Sequence, residues 1–197
     1  ILSCTYPAIR AQGKHVITIE GLAHKDETGG EDLHPLQEAF ISHGAVQCGF
    51  CIPGQIMTSY ALLKRNPDPS SEDVKDALKE TLCRCAGYPT IERAIMAAAE
   101  SMKTGEPVKA PEVLPSGEPL EMIGTLKPRP DAVAKVTGAA VFTDDIKFNE
   151  MLHARVKRAD IPHGIVKSID VTKAKALPGV HSVLTAEDVP AIKNHGL

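Results

Sequence analysis

The 197-residue sequence contains no tryptophan and only three tyrosines and four phenylalanines, so a folded core has to be built from Ala, Leu, Ile and Val. Long apolar runs are also missing. The longest, Ala94 to Ala99, falls far short of the roughly 20 residues that span a bilayer, which excludes a transmembrane helix within the chain. Neither sign of charge dominates: 22 Lys and Arg stand against 25 Asp and Glu, a net charge of −3. The basic residues are scattered, so the electrostatic footprint of a nucleic-acid binder is lacking. Cysteines number five, and an odd set of this size argues against a closed disulfide framework. An initiator Met is absent as well. The chain opens at Ile1, and a cleaved signal or a preceding segment is expected to be missing.

What is present begins with a short β-branched run, Val16-Ile17-Thr18-Ile19, which predicts a strand with few neighbours. From Asp32 to Met102 the apolar period becomes helical. A first helix is expected from about His34, with Pro35 in its opening turn, to about Gly44, a good left-handed cap. A second starts near Pro53, places Ile56, Tyr60 and Leu63 on one face, and stops at Asn66-Pro67-Asp68-Pro69. A third opens on Ser70-Ser71-Glu72-Asp73, a capping-box signal, and repeats Val74, Leu78 and Leu82. A fourth follows Pro89-Thr90, with Thr90 as N-cap and Ile91, Ile95, Ala98 and Met102 along one stripe. Four short amphipathic helices can bury their stripes only against one another, which suggests an antiparallel up-and-down bundle. The loops joining helices one to two and three to four then share one end.

Beyond Met102, Pro107, Pro111, Pro115 and Pro119 interleave with Gly105 and Gly117, a composition for an extended linker. Strand-like runs resume at Ala139–Phe142, Leu152–Val156, Gly164–Val171 and Val180–Leu184, with a short helix expected from Thr172 to near Leu177. This second unit reads as α/β and lacks a closing element.

Four of the five cysteines fall in the two bundle-end loops, as Cys48-Gly49-Phe50-Cys51 and Cys83-Arg84-Cys85, with 31 residues between the pairs. Gly- and Pro-flanked loops are poor places to bury structural thiols, so metal ligation is the expected role. Zinc and iron–sulfur both accept four thiolates, and spacing alone does not separate them. The C-x-C pair and the helix-flanked loops depart from the usual zinc turns on small β-ribbons and favour iron–sulfur. Arg84 either offsets the charge of a tetrathiolate cluster or is a solvated loop residue. His34, His43 and His153 form no ligand cluster and are expected to be surface or capping groups.

The strings Gln47-Cys48-Gly49-Phe50-Cys51-Ile52-Pro53-Gly54 and Cys83-Arg84-Cys85-Ala86-Gly87-Tyr88, with His34-Pro35-Leu36-Gln37 upstream, resemble the second [2Fe–2S] domain of the molybdenum hydroxylases, the xanthine dehydrogenase and aldehyde oxidoreductase family. Pro130-Asp131-Ala132-Val133-Ala134-Lys135-Val136-Thr137-Gly138, followed by Thr143-Asp144-Asp145-Ile146, resembles the opening of that family's molybdenum subunit. The resemblance implies an α+β chain: the end of a plant-ferredoxin-like domain over 1–31, a four-helix [2Fe–2S]-binding bundle over 32–103, a linker over 104–129 and the start of an α/β hammerhead domain over 130–197. It implies that Cys48, Cys51, Cys83 and Cys85 ligate the cluster nearest molybdenum and that Gln47 and the Cys85 region touch the pterin. Cys4 resembles the last ligand of the other cluster, whose remaining three would precede Ile1. The sequence departs from the family at Glu80, where Gly is usual, and at Ala86, where Thr is usual.

Too few residues separate the two matches for a flavin domain, a layout similar to flavin-free bacterial aldehyde oxidoreductases. The implied function is electron transfer from a molybdopterin centre during aldehyde oxidation, with purine or heteroaromatic hydroxylation as the alternative. A non-enzymatic carrier or zinc-stabilised module is the third reading. No catalytic residue is expected within the chain, which by itself should be inactive. Expected partners are the rest of the molybdenum subunit; further copies in a homo-oligomer; a small aldehyde or heteroaromatic substrate; and an acceptor such as ferredoxin, flavodoxin or a flavin subunit. Reduced cysteines favour a cytoplasmic location.

Overall fold

The computed structural model describes residues 3–25, 31–111 and 127–189. They divide into two units, Ile1–Lys147 and Phe148–Leu197. The fold is α+β only in the broad sense, because it is mostly helical. Its one sheet among the described residues pairs β1 (His24–Lys25) antiparallel to β2 (Glu31–Asp32), with His24 opposite Asp32.

The first unit is organised around α1 (Pro35–Ser42), α2 (Ile52–Arg65), α3 (Ser71–Leu78) and α4 (Tyr88–Thr104). Each begins or ends where local chemistry satisfies the orphan backbone groups of a helix terminus. His34 caps α1: its Nδ1 accepts from the Leu36 N–H at 3.1 Å, while Gln37 Oε1 accepts from the His34 N–H at 3.0 Å. At the other end Gly44 takes φ +63°, letting the Ala45 N–H reach Phe40 O and the Gly44 N–H reach Ile41 O. These paired bonds form a Schellman closure. Ser70 and Asp73 form the expected capping box on α3.

Two helix expectations need correction. The α4 N-cap is Gly87, not Thr90, whose hydroxyl instead donates back to Gly87 O at 2.8 Å. Leu82 lies beyond α3 and is 78% exposed, because the chain turns after Leu78 with the Thr81 N–H bonding Leu78 O. The apolar stripes otherwise meet as anticipated: Ile56, Val74, Ile91, Ile95 and Ala98 are fully buried, whereas Met102 is partly exposed at the end of its stripe. The contacts of α1 are chiefly with α4, and those of α2 with α3.

Two further segments complete this core. The run Val16–Ile19 does not form a strand: no ladder partner lies beside it among the described residues, and the chain tightens into a 3-10 turn at Ile19–Gly21. That turn buries Ile19 and, just after it, Leu22. A short helix, α5 (Ala132–Thr137), packs on α1 and α2 and buries Ala132 and Val136. The fully buried Gln37 donates from Nε2 to Val136 O at 2.9 Å, across 99 positions of sequence. Most of the expected linker, 112–126, lies outside the described residues.

In the second unit α6 (Thr172–Lys175) and a 3-10 turn at Ala186–Asp188 are the regular elements described. The strand-like runs 152–156, 164–171 and 180–184 form no ladder among the described residues, and neither does 139–142 in the first unit. A strand persists when another strand takes up its N–H and C=O groups. Here the apolar side chains meant to define one face remain open: Leu152 is 62% exposed and Ile165 88%.

Candidate metal centre

The loops 43–51 and 79–87 meet at one end of the bundle, as the topology argument requires. The pairing is two and two. The thiol of Cys85 donates to Cys48, and that of Cys51 donates to Cys83. None of the four is in a disulfide.

Backbone conformation turns N–H groups toward the sulfurs. Gly49 sits at φ +93° and Ala86, without a glycine's freedom, at φ +55°. A left-handed Ala costs about 1–2 kcal/mol; the Ala86 N–H donates to Cys83 O at 3.2 Å and also stands beside the Cys83 sulfur. The N–H of Phe50 bonds Cys48, and with the Cys85 thiol this holds the Cys48 thiol below its ordinary range. Burial raises Cys83, but N–H groups of Gly87, Cys85 and Ala86 together with the Cys51 thiol outweigh it, so Cys83 also lies low. Cys51 is pushed up to about 12, first by burial and then by donating to Cys83. Cys48 and Cys83, one from each pair, are thus the more readily ionised sulfurs, while Cys51 keeps its proton until a metal displaces it.

The donor set fits a [2Fe–2S] cluster, which takes four thiolates, two on each iron. Backbone N–H groups aimed at sulfur are a recognised means of tuning such clusters.

Sequence reasoning missed several supports. Tyr88 Oη accepts from the Cys83 N–H at 2.7 Å, fixing the second loop to the first turn of α4. Gln55, fully buried, donates to Thr81 O at 3.0 Å and ties α2 to the chain leading into Cys83. Lys135 lies over Gly49, where an added Cβ would stand 2.5 Å from its Cδ. A C-x-x-C glycine was the visible signal for a close approach; nothing local indicated what approached.

Other anticipated residues fall as follows. Gln47 is exposed, with its amide against Gly87 between the two loops. Cys4 is exposed in the 3-10 turn Ser3–Thr5 and takes no part in the four-thiol centre. Arg84 and His153 are exposed, His34 is the α1 cap, and His43 closes the same helix through Ala39 O. No helix among the described residues is long and apolar enough to cross a membrane.

Comparison with known proteins agrees with this geometry. Residues 18–96 match the family described as a [2Fe-2S] binding domain, and residues 137–197 match the aldehyde oxidase and xanthine dehydrogenase a/b hammerhead domain. An aldehyde oxidoreductase of Megalodesulfovibrio gigas is 40% identical over 184 residues, covering 91% of this chain and 20% of the relative. The nicotinate dehydrogenase small FeS subunit of Eubacterium barkeri is 44% identical over 100 residues, 51% of this chain and 60% of the relative. A solved aldehyde oxidoreductase from Desulfovibrio gigas superposes with a TM-score of 0.70 at 38% identity, over 96% of this chain and 21% of that one. The chain therefore spans about a fifth of the aldehyde oxidoreductases it matches.

Proposed function

The chain belongs to the molybdenum hydroxylase family of aldehyde oxidoreductases and xanthine dehydrogenases, and on that premise we propose that it is the electron-transfer segment of an aldehyde-oxidising member. The observation that carries this is the two-and-two set of thiols, with N–H groups turned toward Cys48 and Cys83. Cys48, Cys51, Cys83 and Cys85 would hold a [2Fe–2S] cluster. That group supplies a one-electron relay that needs no proton. Around it the protein buries Cys83 and satisfies its N–H through Tyr88. Gln47, exposed between the loops, offers an amide able to bond a pterin edge.

Cys4 would ligate a second cluster only with three thiols from outside this chain, since the other four are engaged with one another. An aldehyde is favoured over a purine or nicotinate substrate because the aldehyde oxidoreductase aligns over both units. The nicotinate and xanthine dehydrogenases align over about half of the chain. The intact protein would pass electrons to a ferredoxin, flavodoxin or flavin subunit, work as a homo-oligomer and be assembled in the cytoplasm.

Metal analysis with electron paramagnetic resonance after dithionite reduction tests the reading. Iron and sulfide in equal amounts with a rhombic signal are expected; one zinc and no signal would refute it. Cys83→Ser should abolish that signal and Cys4→Ser should leave it in this chain, whereas its loss on changing Cys4 would mean a different ligand set.

A further inference from the structure

The segment 130–138, which resembles the opening of the molybdenum subunit, lies with Arg129 on the cysteine end of the first unit. Lys135 is its working residue. The side chain, only 10% exposed, runs over Gly49 with Cγ and Cδ within 2.6 Å of where a Cβ would be. Its ammonium donates to Gln47 O at 3.2 Å, 88 positions back in sequence and next to Cys48. It also donates to Asp131 Oδ2 at 2.6 Å, and Asp131 receives Arg129 Nε at 2.9 Å and Nη2 at 3.1 Å. Two cations and one carboxylate leave this group with a net positive charge. The lysine cannot drift away, because Val136 and Ala132 are buried and Val136 O is held by Gln37.

We propose that Lys135 is a positioning residue for the cluster loop: docked on the Gln47 carbonyl over Gly49, its fixed charge sets the reduction potential of the centre held by Cys48, Cys51, Cys83 and Cys85. The inference rests on the cluster assignment above. Reduction adds one electron and no proton, so negative charge grows at the sulfurs, and a nearby desolvated cation stabilises the reduced form more than the oxidised one. The protein's lever is a group outside the ligand shell, acting through the loop that carries the ligand.

The test is a dithionite-poised redox titration of the full-length holoprotein, read by electron paramagnetic resonance. Lys135→Met keeps most of the stem over Gly49 and removes the charge. At a fixed poise it should lower the reduced-to-oxidised ratio of this cluster about tenfold, which is about 59 mV for a one-electron couple. Lys135→Arg should stay within about twofold of the parent, since the cation is retained. Asp131→Asn, which removes the counter-charge, should raise the ratio, opposite in sign to Lys135→Met. Because Arg and Asn variants read the same question, a Met variant that fails to load the cluster does not close it. An unmoved midpoint in Lys135→Met, or shifts of the same sign in Lys135→Met and Asp131→Asn, would overturn the proposal. Absence of the signal from the unsubstituted holoprotein would instead refute the cluster assignment itself.

Discussion

Gln37 offers the sharpest test of how the cysteine end is held. Its amide is fully buried, and the two bonds it makes fix its orientation: the His34 N–H can only donate, and Val136 O can only accept. Replacement by Leu, close in volume, leaves no large cavity but strips both bonds. A buried carbonyl without a donor costs about 1–3 kcal/mol, and loss of the reciprocal capping bond adds about 0.5–1.5 kcal/mol, so Gln37→Leu should cost about 2–4 kcal/mol. Gln37→Glu separates the two terms. It keeps the acceptor for His34 but sets a carboxylate against Val136 O, so the folded state favours the protonated acid and raises its pKa above the unfolded value of about 4.3. Stability of that variant is then full below about pH 4.3 and is lost as pH rises through the folded-state pKa. Urea denaturation of the metal-free chain, followed by circular dichroism, reads both effects, with the slope checking that unfolding remains two-state. A Gln37→Leu variant within about 0.5 kcal/mol of the parent, comparable to an ordinary surface change, would refute the reasoning, as would a Gln37→Glu variant whose relative stability ignores pH.

Three other outcomes follow from the same structure. His34 is held below its ordinary pKa, chiefly by burial and then by Lys64 and His24, and its cap needs a neutral Nδ1. Stability should therefore be full above about pH 6.5 and fall as pH drops toward the folded-state pKa, and His34→Asn, a cap without a titrating ring, should flatten this part of a pH series of urea midpoints. Tyr88→Phe removes the acceptor of the Cys83 N–H and should cost about 1 kcal/mol in the same assay; no change would mean that the bond contributes nothing net. Gly49→Ala meets both a left-handed φ of +93° and the lysine stem. The first costs about 1–2 kcal/mol whatever the neighbour, and the second should vanish in the Gly49→Ala, Lys135→Ala double variant; strictly additive effects would show that the stem and Gly49 are not in contact.

The helical unit was legible because its information is local. Pro35, the Ser70–Asp73 box and Gly44 each act within one turn, and the cysteine spacing carries its chemistry on its face. The ends that misled did so for equally local reasons. Thr90 is a residue type that favours N-caps, but it stands inside the first turn of α4 and donates back to Gly87 O, and Leu82 continues the α3 period in sequence after the helix has stopped. What could not be read was non-local. Nothing in the periodicity of 129–138 says that its buried face belongs to α1 and α2 or that Lys135 covers Gly49. The β-branched runs of the second unit carried strand propensity, but propensity expresses fit to a pleated surface rather than a backbone preference. Where no neighbouring strand stands among the described residues, the ladder does not form.

The place of Lys135 in the chain gives its contact with Gly49 a schedule. All four thiols of the cysteine end are made before it, the last at Cys85, some 50 positions earlier. At synthesis rates of about 5–20 residues per second, about 2.5–10 s pass between the two. Throughout that interval both cysteine pairs have been synthesised while the lysine that will lie across one of their loops has not. Order along the polypeptide thus becomes order in biogenesis: the four thiols are synthesised first, and the residue that lies across one of their loops comes afterwards.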